Sequence, residues 1–452
     1  MKINRGNKWR VFVIAVVVLS VLVSGCSGKG KESASDSASD SASTETSAST
    51  SASGNDQQAT VTMWGWDKAY AEKTVEGFNK VYPNIKVEFV DVSAGDYLKK
   101  LQTSVAAGSD LPDIIWGEAG FRGALFALNI LDDLTKEPYS FDKSKLIDQV
   151  IPQLQNEKGE LVGLEQSVNP GALAYKRNLA KQYLGTDDPD QLAAMFPDWN
   201  SFIEKGKEVK QKSGGKVSML PGMMDAYTVV YPQYPEAFIH GVQFDTSAVK
   251  SIFQTLENIR NADITAKLDM WSPTWNASYA KDDVIFYPAA NWSPHFVIEP
   301  NDKGSTGRWG LMVPPGGGYS YGGTSLGIWK DSKNKEAAWK YLEWTLASEE
   351  GAKLSKEAFD YYVPLKSVFG NSAAFAAGPN PYYGGQDLGL FWVDKVLPTM
   401  KTRPYSKYDQ DIYNASSINM QTMTKDLKYG TETAVSNWQK ELKKNHPEIE
   451  FK

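Results

Sequence analysis

Apolar and polar positions change period several times along this chain, and each change predicts an element. Residues 60–64 (Thr-Val-Thr-Met-Trp) read as a strand, after which Ala71, Val75, Phe78 and Tyr82 recur at helical spacing. Pro83, which has no amide hydrogen, stops that helix. Ile85, Val87 and Phe89 alternate as a second strand; Tyr97, Leu101 and Val105 mark a second helix; 113–116 (Asp-Ile-Ile-Trp) reads as a third strand. Helices are predicted at about 144–155, 200–212, 247–261 and 334–346, and strands at 284–287 and 311–313.

A strand–helix–strand–helix–strand opening implies a mainly parallel sheet covered by helices, an α/β fold. The stretch from 59 to 452 exceeds what one hydrophobic core serves, so two lobes are expected. Hydrophobic residues are 41% and charged residues 23% of the chain, enough apolar material for such cores. The formal net charge of −6 argues against nucleic acid and against a polybasic membrane-binding face.

The first 58 residues follow another logic. Lys2, Arg5, Lys8 and Arg10 precede an apolar run over 11–23 that only Ser20 interrupts. That run is short for a membrane span and has the length of a signal-peptide core. It ends in Val23-Ser24-Gly25-Cys26, where small residues precede the only cysteine. This resembles the lipobox of bacterial lipoproteins, which implies cleavage after residue 25 and a diacylglycerol on the Cys26 sulfur. From 27 to 58 the chain holds almost only Ser, Ala, Asp, Thr, Gly, Lys and Glu. It buries too little to offset ordering and is expected to be a flexible tether.

The later segments carry a resemblance in order and spacing. Phe78-Asn79-Lys80-Val81-Tyr82-Pro83-Asn84-Ile85-Lys86-Val87 resembles the opening of carbohydrate-type solute-binding proteins of ABC importers, and Leu111-Pro112-Asp113-Ile114-Ile115-Trp116 their next strand entry. Residues 163–178 resemble the first crossover between lobes, and Tyr287-Pro288-Ala289-Ala290-Asn291-Trp292 the segment bringing a ligand-stacking tryptophan into the cleft. Residues 322–328 with 336–344 resemble the return crossover and its helix, and 363–367 the third crossover. The resemblance implies a bilobed periplasmic-binding-protein-like fold of type II, two α/β lobes joined by hinge crossovers. It assigns 59–167 with 322–363 to the N-terminal lobe and 168–321 with 364–452 to the C-terminal lobe. It further implies a monomeric, lipid-anchored capture protein at the outer face of a cell membrane, with a carbohydrate ligand, permease partners and no cofactor.

A saccharide has apolar C–H faces and a hydroxyl rim, so its site needs aromatic plates with planar donors and acceptors. Aromatics are 12% of the chain, with 14 Trp and 22 Tyr. Trp64 and Trp66 flank Gly65, and one of them is expected to see ligand. Trp66-Asp67 lies just past a strand's carboxyl end, where ligands of parallel sheets sit. Glu118, ending another strand, is preferred as a polar contact over Trp116, which is assigned to the core. The resemblance makes Trp292 the stacking plate with Asn291 beside it. It places Asn169 at the first crossover, Tyr227 and Tyr231 in the second lobe, and backbone groups of Gly323 and Thr324 at the return crossover. Trp271, Trp275, Tyr382, Tyr383 and Trp392 could extend a cleft but are assigned to packing, as are Trp339, Tyr341 and Trp344.

Catalytic readings find little support. His240, His295 and His446 are scattered without metal-ligand spacing. Gly316-Gly317-Gly318 lacks the Lys-Ser/Thr of a phosphate loop and reads as a turn. The pairs Asp132-Asp133, Asp187-Asp188 and Asp282-Asp283 are sequence neighbours suited to loops and caps. A lipid-anchored glycoside hydrolase is the competing class, because acids with aromatics also line hydrolase clefts; a module presenting bound sugar to a sensor is a third, and the fold also accepts a non-sugar solute as ligand.

Overall fold

The computed structural model describes residues 58–452, so the predicted signal segment, Cys26 and the tether up to residue 57 lie outside the described residues. In chain order the strands are β1 (Ala59–Gly65), β2 (Ile85–Asp91), β3 (Ile114–Glu118), β4 (Leu164–Glu165), β5 (Pro170–Lys176), β6 (Ile239–His240), β7 (Gln243–Phe244), β8 (Phe286–Ala290), β9 (Trp309–Met312), β10 (Tyr319–Ser320), β11 (Thr324–Ile328) and β12 (Glu450–Phe451).

The first lobe is built on a sheet of order β2-β1-β3-β11-β4. β1 runs parallel to β2 and β3, and β11 runs antiparallel to β3 and β4. β1 buries Val61, Met63 and Gly65 on one face, the alternation of a strand covered on one side. The helix Lys68–Val81 begins where the Asp67 carboxylate accepts the Tyr70 amide at 3.0 Å, and it buries Tyr70, Ala71, Thr74 and Phe78. The helix Ala94–Ala106 buries Tyr97 and Leu101, whereas Val105, expected on that face, is exposed.

One predicted helix is absent. Residues 144–155 contain only a 3-10 turn at Lys143–Lys145 and a short helix Ile151–Leu154. Between them Leu146 forms an antiparallel bridge with Leu365, and the Ile147 amide donates to the Pro364 carbonyl at 3.0 Å. A long-range pairing has taken the backbone groups that a continuous helix would use. The strand expected at 284–287 runs instead from Phe286, because Val284 is bridged in parallel to Ser218.

In the second lobe β5 is central, with β8, β9 and β10 all antiparallel to it. Its side chains divide between two cores. Leu173 and Tyr175 face a cluster with Phe286 and Met312; Ala172 and Ala174 face another with Tyr287, Ala289 and Leu311. The helices Trp199–Lys212, Thr246–Ala262, Asp409–Lys425 and Thr431–Asn445 bury residues of the first of these cores. A small sheet of order β12-β7-β6 lies in this lobe, with Gly241 at φ 64° in the β6–β7 turn.

The chain passes between the lobes at the ends of these sheets. It leaves the first sheet after β4 and enters the second at β5, and it returns between β10 and β11 through Gly322 and Gly323, at φ 83° and 132°. Both values favour a residue without a β-carbon. The C-terminal portion differs from the expected division: Leu365, Leu397 and Met400 bury their side chains in the first lobe's core. Residues 364–452 are therefore shared between the lobes. The reason is tertiary, since the segment that carries them crosses back over the first lobe before the helix Asp409–Lys425.

Candidate functional site

A cavity of about 250 Å³ lies where the two lobes and the return crossover meet. The first lobe supplies Glu118, the last residue of β3, with Ala119 and Gly120 just beyond it. The second lobe supplies Tyr227, Thr228, Tyr231 and Pro232; the crossover supplies Ser320, Tyr321 and Gly322. Arg403, Tyr405, Asp409 and Tyr413 complete the wall from the C-terminal segment.

Glu118 is placed by sheet register, opposite Thr324 of β11. One carboxylate oxygen accepts the Gly120 amide at 2.7 Å. Burial pushes its pKa above the usual carboxylate range; the Gly120 hydrogen bond and the Arg122 charge oppose that shift, and Glu165 adds to it. Arg122 itself is committed elsewhere: it lies buried 2.8 Å from Glu165 and its Nε donates to the Gly117 carbonyl at 3.2 Å.

Arg403 is also buried and ion-paired, with Asp409. Its guanidinium carbon lies 4.3 Å from the Phe238 ring centroid and 5.2 Å from that of Tyr231, an arrangement that fixes the plane of the group. One terminal nitrogen donates to Asp409 at 3.0 Å and to the Tyr231 hydroxyl at 3.4 Å. The buried Nε has no hydrogen-bond partner among the described residues. Nearby, Tyr227, Tyr231 and Tyr413 form a three-ring cluster with centroids 5.1 to 5.5 Å apart. The wall thus offers aromatic surface, a planar donor on Arg403 and a carboxylate acceptor on Glu118. It can hold a flat, hydroxylated molecule.

Of the residues named from the sequence, Glu118, Tyr227 and Tyr231 line this cavity. Asn169, Trp292, Gly323 and Thr324 stand behind it. The Asn169 carbonyl accepts the Tyr321 amide at 3.0 Å, and the Trp292 indole donates to the Tyr321 carbonyl at 3.3 Å with its ring 5.1 Å from that of Tyr321. A β-carbon on Gly323 would stand 2.8 Å from a Glu165 oxygen and 3.3 Å from the Asn169 amide nitrogen. Asn291 is buried, and neither side-chain amide atom has a partner among the described residues.

Trp66 and Asp67 do not line the cavity. β1 ends at Gly65, and the Trp66 ring packs edge-on against Tyr97, Trp116 and Phe121 at 5.0 to 5.9 Å. Asp67 is occupied as a helix cap. Trp64 is covered by Lys100, whose ammonium lies 3.9 Å from the ring. Trp116, Trp275, Tyr383 and Trp392 are buried in cores, whereas Trp271 is 54% exposed.

Sequence reasoning passed over Tyr321, Arg403, Tyr405, Asp409 and Tyr413. The available signals were the alternation of Tyr319 and Tyr321 after a glycine turn, and the cluster Arg403-Pro404-Tyr405 before a helix. Among the described residues no group of three or more His, Cys, Asp or Glu is arranged to hold a metal ion, and no helix is long and apolar enough to cross a membrane.

Residues 73–382 match the model of the bacterial extracellular solute-binding protein family. A lactose-binding protein of Rhizobium radiobacter is 22% identical over 399 residues, covering 81% of this chain and 88% of that protein. Among solved structures, an extracellular solute-binding protein of family 1 superposes with a TM-score of 0.76 at 19% identity, covering 85% of this chain and 99% of the other. The sugar-binding protein MalE of Xanthomonas citri superposes with a TM-score of 0.70 at 18% identity, covering 85% and 96%. These likenesses show a bilobed α/β binding-protein fold. The chain belongs to the bacterial extracellular solute-binding protein family.

Proposed function

We propose that this chain captures a carbohydrate, most simply an oligosaccharide, in the cavity between its lobes and delivers it to the permease of an ABC importer. The observation that carries this reading is the composition of the wall: the rings of Tyr227, Tyr231 and Tyr413 beside the planar Arg403 and the Glu118 carboxylate. Clustered aromatic rings suit the apolar face of a pyranose, and the fixed donor and acceptor suit its hydroxyl rim. The descriptions of one relative as lactose-binding and of MalE as a sugar-binding protein support the same class. Closure follows from ligand contacts made only when the lobes approach, with the crossovers near Asn169, Gly322 and Pro364 absorbing the change.

The same proposal places the protein outside the membrane, held there by a lipid on Cys26 and a tether over 27–58. Cys26→Ala should release the protein or leave an unprocessed precursor; a processed variant that still fractionates with membranes removes the anchor from the account. Ligand class is tested by thermal shift over a saccharide library with a reducing-end assay alongside. A saccharide at 100 times its dissociation constant should stabilise the protein by about 2.7 kcal/mol, and reducing ends should not accumulate.

A further inference from the structure

Trp271 stands out by its backbone as well as its exposure. Its φ is +66°, the left-handed region, which a bulky side chain occupies at a cost on the order of 1–3 kcal/mol. The ring is nevertheless left 54% exposed. Strain that places a large apolar ring in water has no folding advantage.

The ring is also braced. Its centroid lies 4.9 Å from that of Trp275, which is buried and packs 5.0 Å from Tyr279. The Trp275 indole donates to Asp225 at 2.9 Å, and the second Asp225 oxygen is buried with no partner among the described residues. Trp271 therefore leans on a fixed aromatic cluster while more than half of it stays exposed. Phe296 is exposed to a similar degree, but it lacks the left-handed backbone, and its ring contact is with exposed His295.

The braced ring is linked to the cavity through its neighbours. Asp225 lies on the same helix, Met223–Val230, as the cavity residues Tyr227 and Thr228. Met270, next to Trp271 in sequence, lies 3.7 Å by its sulfur from the Thr228 hydroxyl. The cavity itself, at about 250 Å³, falls below the range of about 300–1,000 Å³ usual for small-molecule sites. A saccharide of several rings would extend from a cavity of this size towards its rim.

We infer that Trp271 is the stacking platform of an outer subsite, on which a longer oligosaccharide lays a pyranose ring outside the cavity. This rests on the carbohydrate reading above. An indole face offers the C–H side of a pyranose both area and a negative quadrupole, and its rigid backing means that little freedom is lost on contact.

The test is isothermal titration of the full chain with the disaccharide and tetrasaccharide of one homologous series, maltose and maltotetraose or cellobiose and cellotetraose, chosen by which series binds wild type. Trp271→Asn keeps a residue that accepts the left-handed backbone and removes the ring; Trp271→Phe keeps an aromatic face. Trp271→Asn should weaken the tetrasaccharide at least about fivefold and the disaccharide less than about twofold, with Trp271→Phe restoring most of the loss. Equal losses for both lengths, or none for either, overturn the platform while leaving the carbohydrate reading intact. Wild type that binds no saccharide of any series overturns both.

Discussion

The backbone of Gly123, in the first lobe, lies so close to Ser406 that a β-carbon added to the glycine would stand 2.0 Å from the Ser406 carbonyl oxygen. That contact joins the helix Arg122–Ala127 to the segment bearing Arg403, Tyr405 and Asp409. Around it Gln153 donates to the Tyr405 hydroxyl at 3.1 Å, and the Thr402 hydroxyl donates to the Gln149 carbonyl. The C-terminal segment is thus a strap that forms the cavity wall and also fastens the lobes.

Gly123→Ala should push that strap away. The expected outcome is a saccharide affinity lower by about tenfold or more, through faster release, and a smaller ligand-induced decrease in radius of gyration by solution scattering. Gly95→Ala, where an added β-carbon meets nothing within 4 Å, is the matched control and should change neither. Unchanged affinity and compaction in Gly123→Ala would show that the strap is not coupled to closure.

Trp292 and Trp339 should separate affinity from stability. Trp292 is half-buried and steadies Tyr321 through one hydrogen bond and one ring contact. Trp339 is buried among first-lobe residues, with Tyr139 and Phe141 rings 5.6 and 5.9 Å away. Trp292→Ala should weaken saccharide binding through loss of its support of Tyr321, with little change in the unliganded melting temperature. Trp339→Ala should cost about 3–5 kcal/mol of stability. Normal binding by Trp292→Ala, or its simple unfolding, would place that ring in the core.

Asp225 provides a pH signature. Burial pushes its carboxyl pKa up to about 7, against the opposing hydrogen bond from Trp275 and those of backbone amides. The unfolded value is near 3.9, so between about pH 4 and 7 the folded protein holds a proton that the unfolded chain releases. Stability from this group therefore declines as pH rises through that window and stays lowered above it. Asp225→Asn, neutral throughout and still an acceptor for the Trp275 indole, should gain melting temperature relative to wild type as pH rises from 4 to 8. A difference that stays flat with pH would show that Asp225 is ionised in the fold.

What could be read from the sequence follows the reach of local signals. The strands and helices between Ala59 and Glu118 were legible because periodicity, the Pro83 stop and β-rich runs agree over short distances. Glu118 was legible because it follows a buried run at a strand's carboxyl end. Residues 144–155 misled because Leu146 pairs with Leu365, a partner over two hundred positions away that no local pattern reveals. Arg403, Asp409 and Tyr413 were missed for a similar reason: they reach the cavity only because Leu397 and Met400 anchor their segment in the other lobe. Trp66 was attractive for its place after β1, yet Trp116 supplies the surface on which it packs.

The central claim is that the cavity between the lobes binds a saccharide, and titration calorimetry on wild type and Tyr413→Ala side by side tests it most directly. Tyr413 lines the cavity, is partly exposed, and carries one edge of the tyrosine cluster, so its truncation should leave the fold standing. The account predicts that a saccharide from the library binds wild type with measurable heat and binds Tyr413→Ala at least about fivefold more weakly, at an unliganded melting temperature close to that of wild type. Equal saccharide affinity in the two proteins, or no saccharide heat from wild type at millimolar concentration, would contradict it.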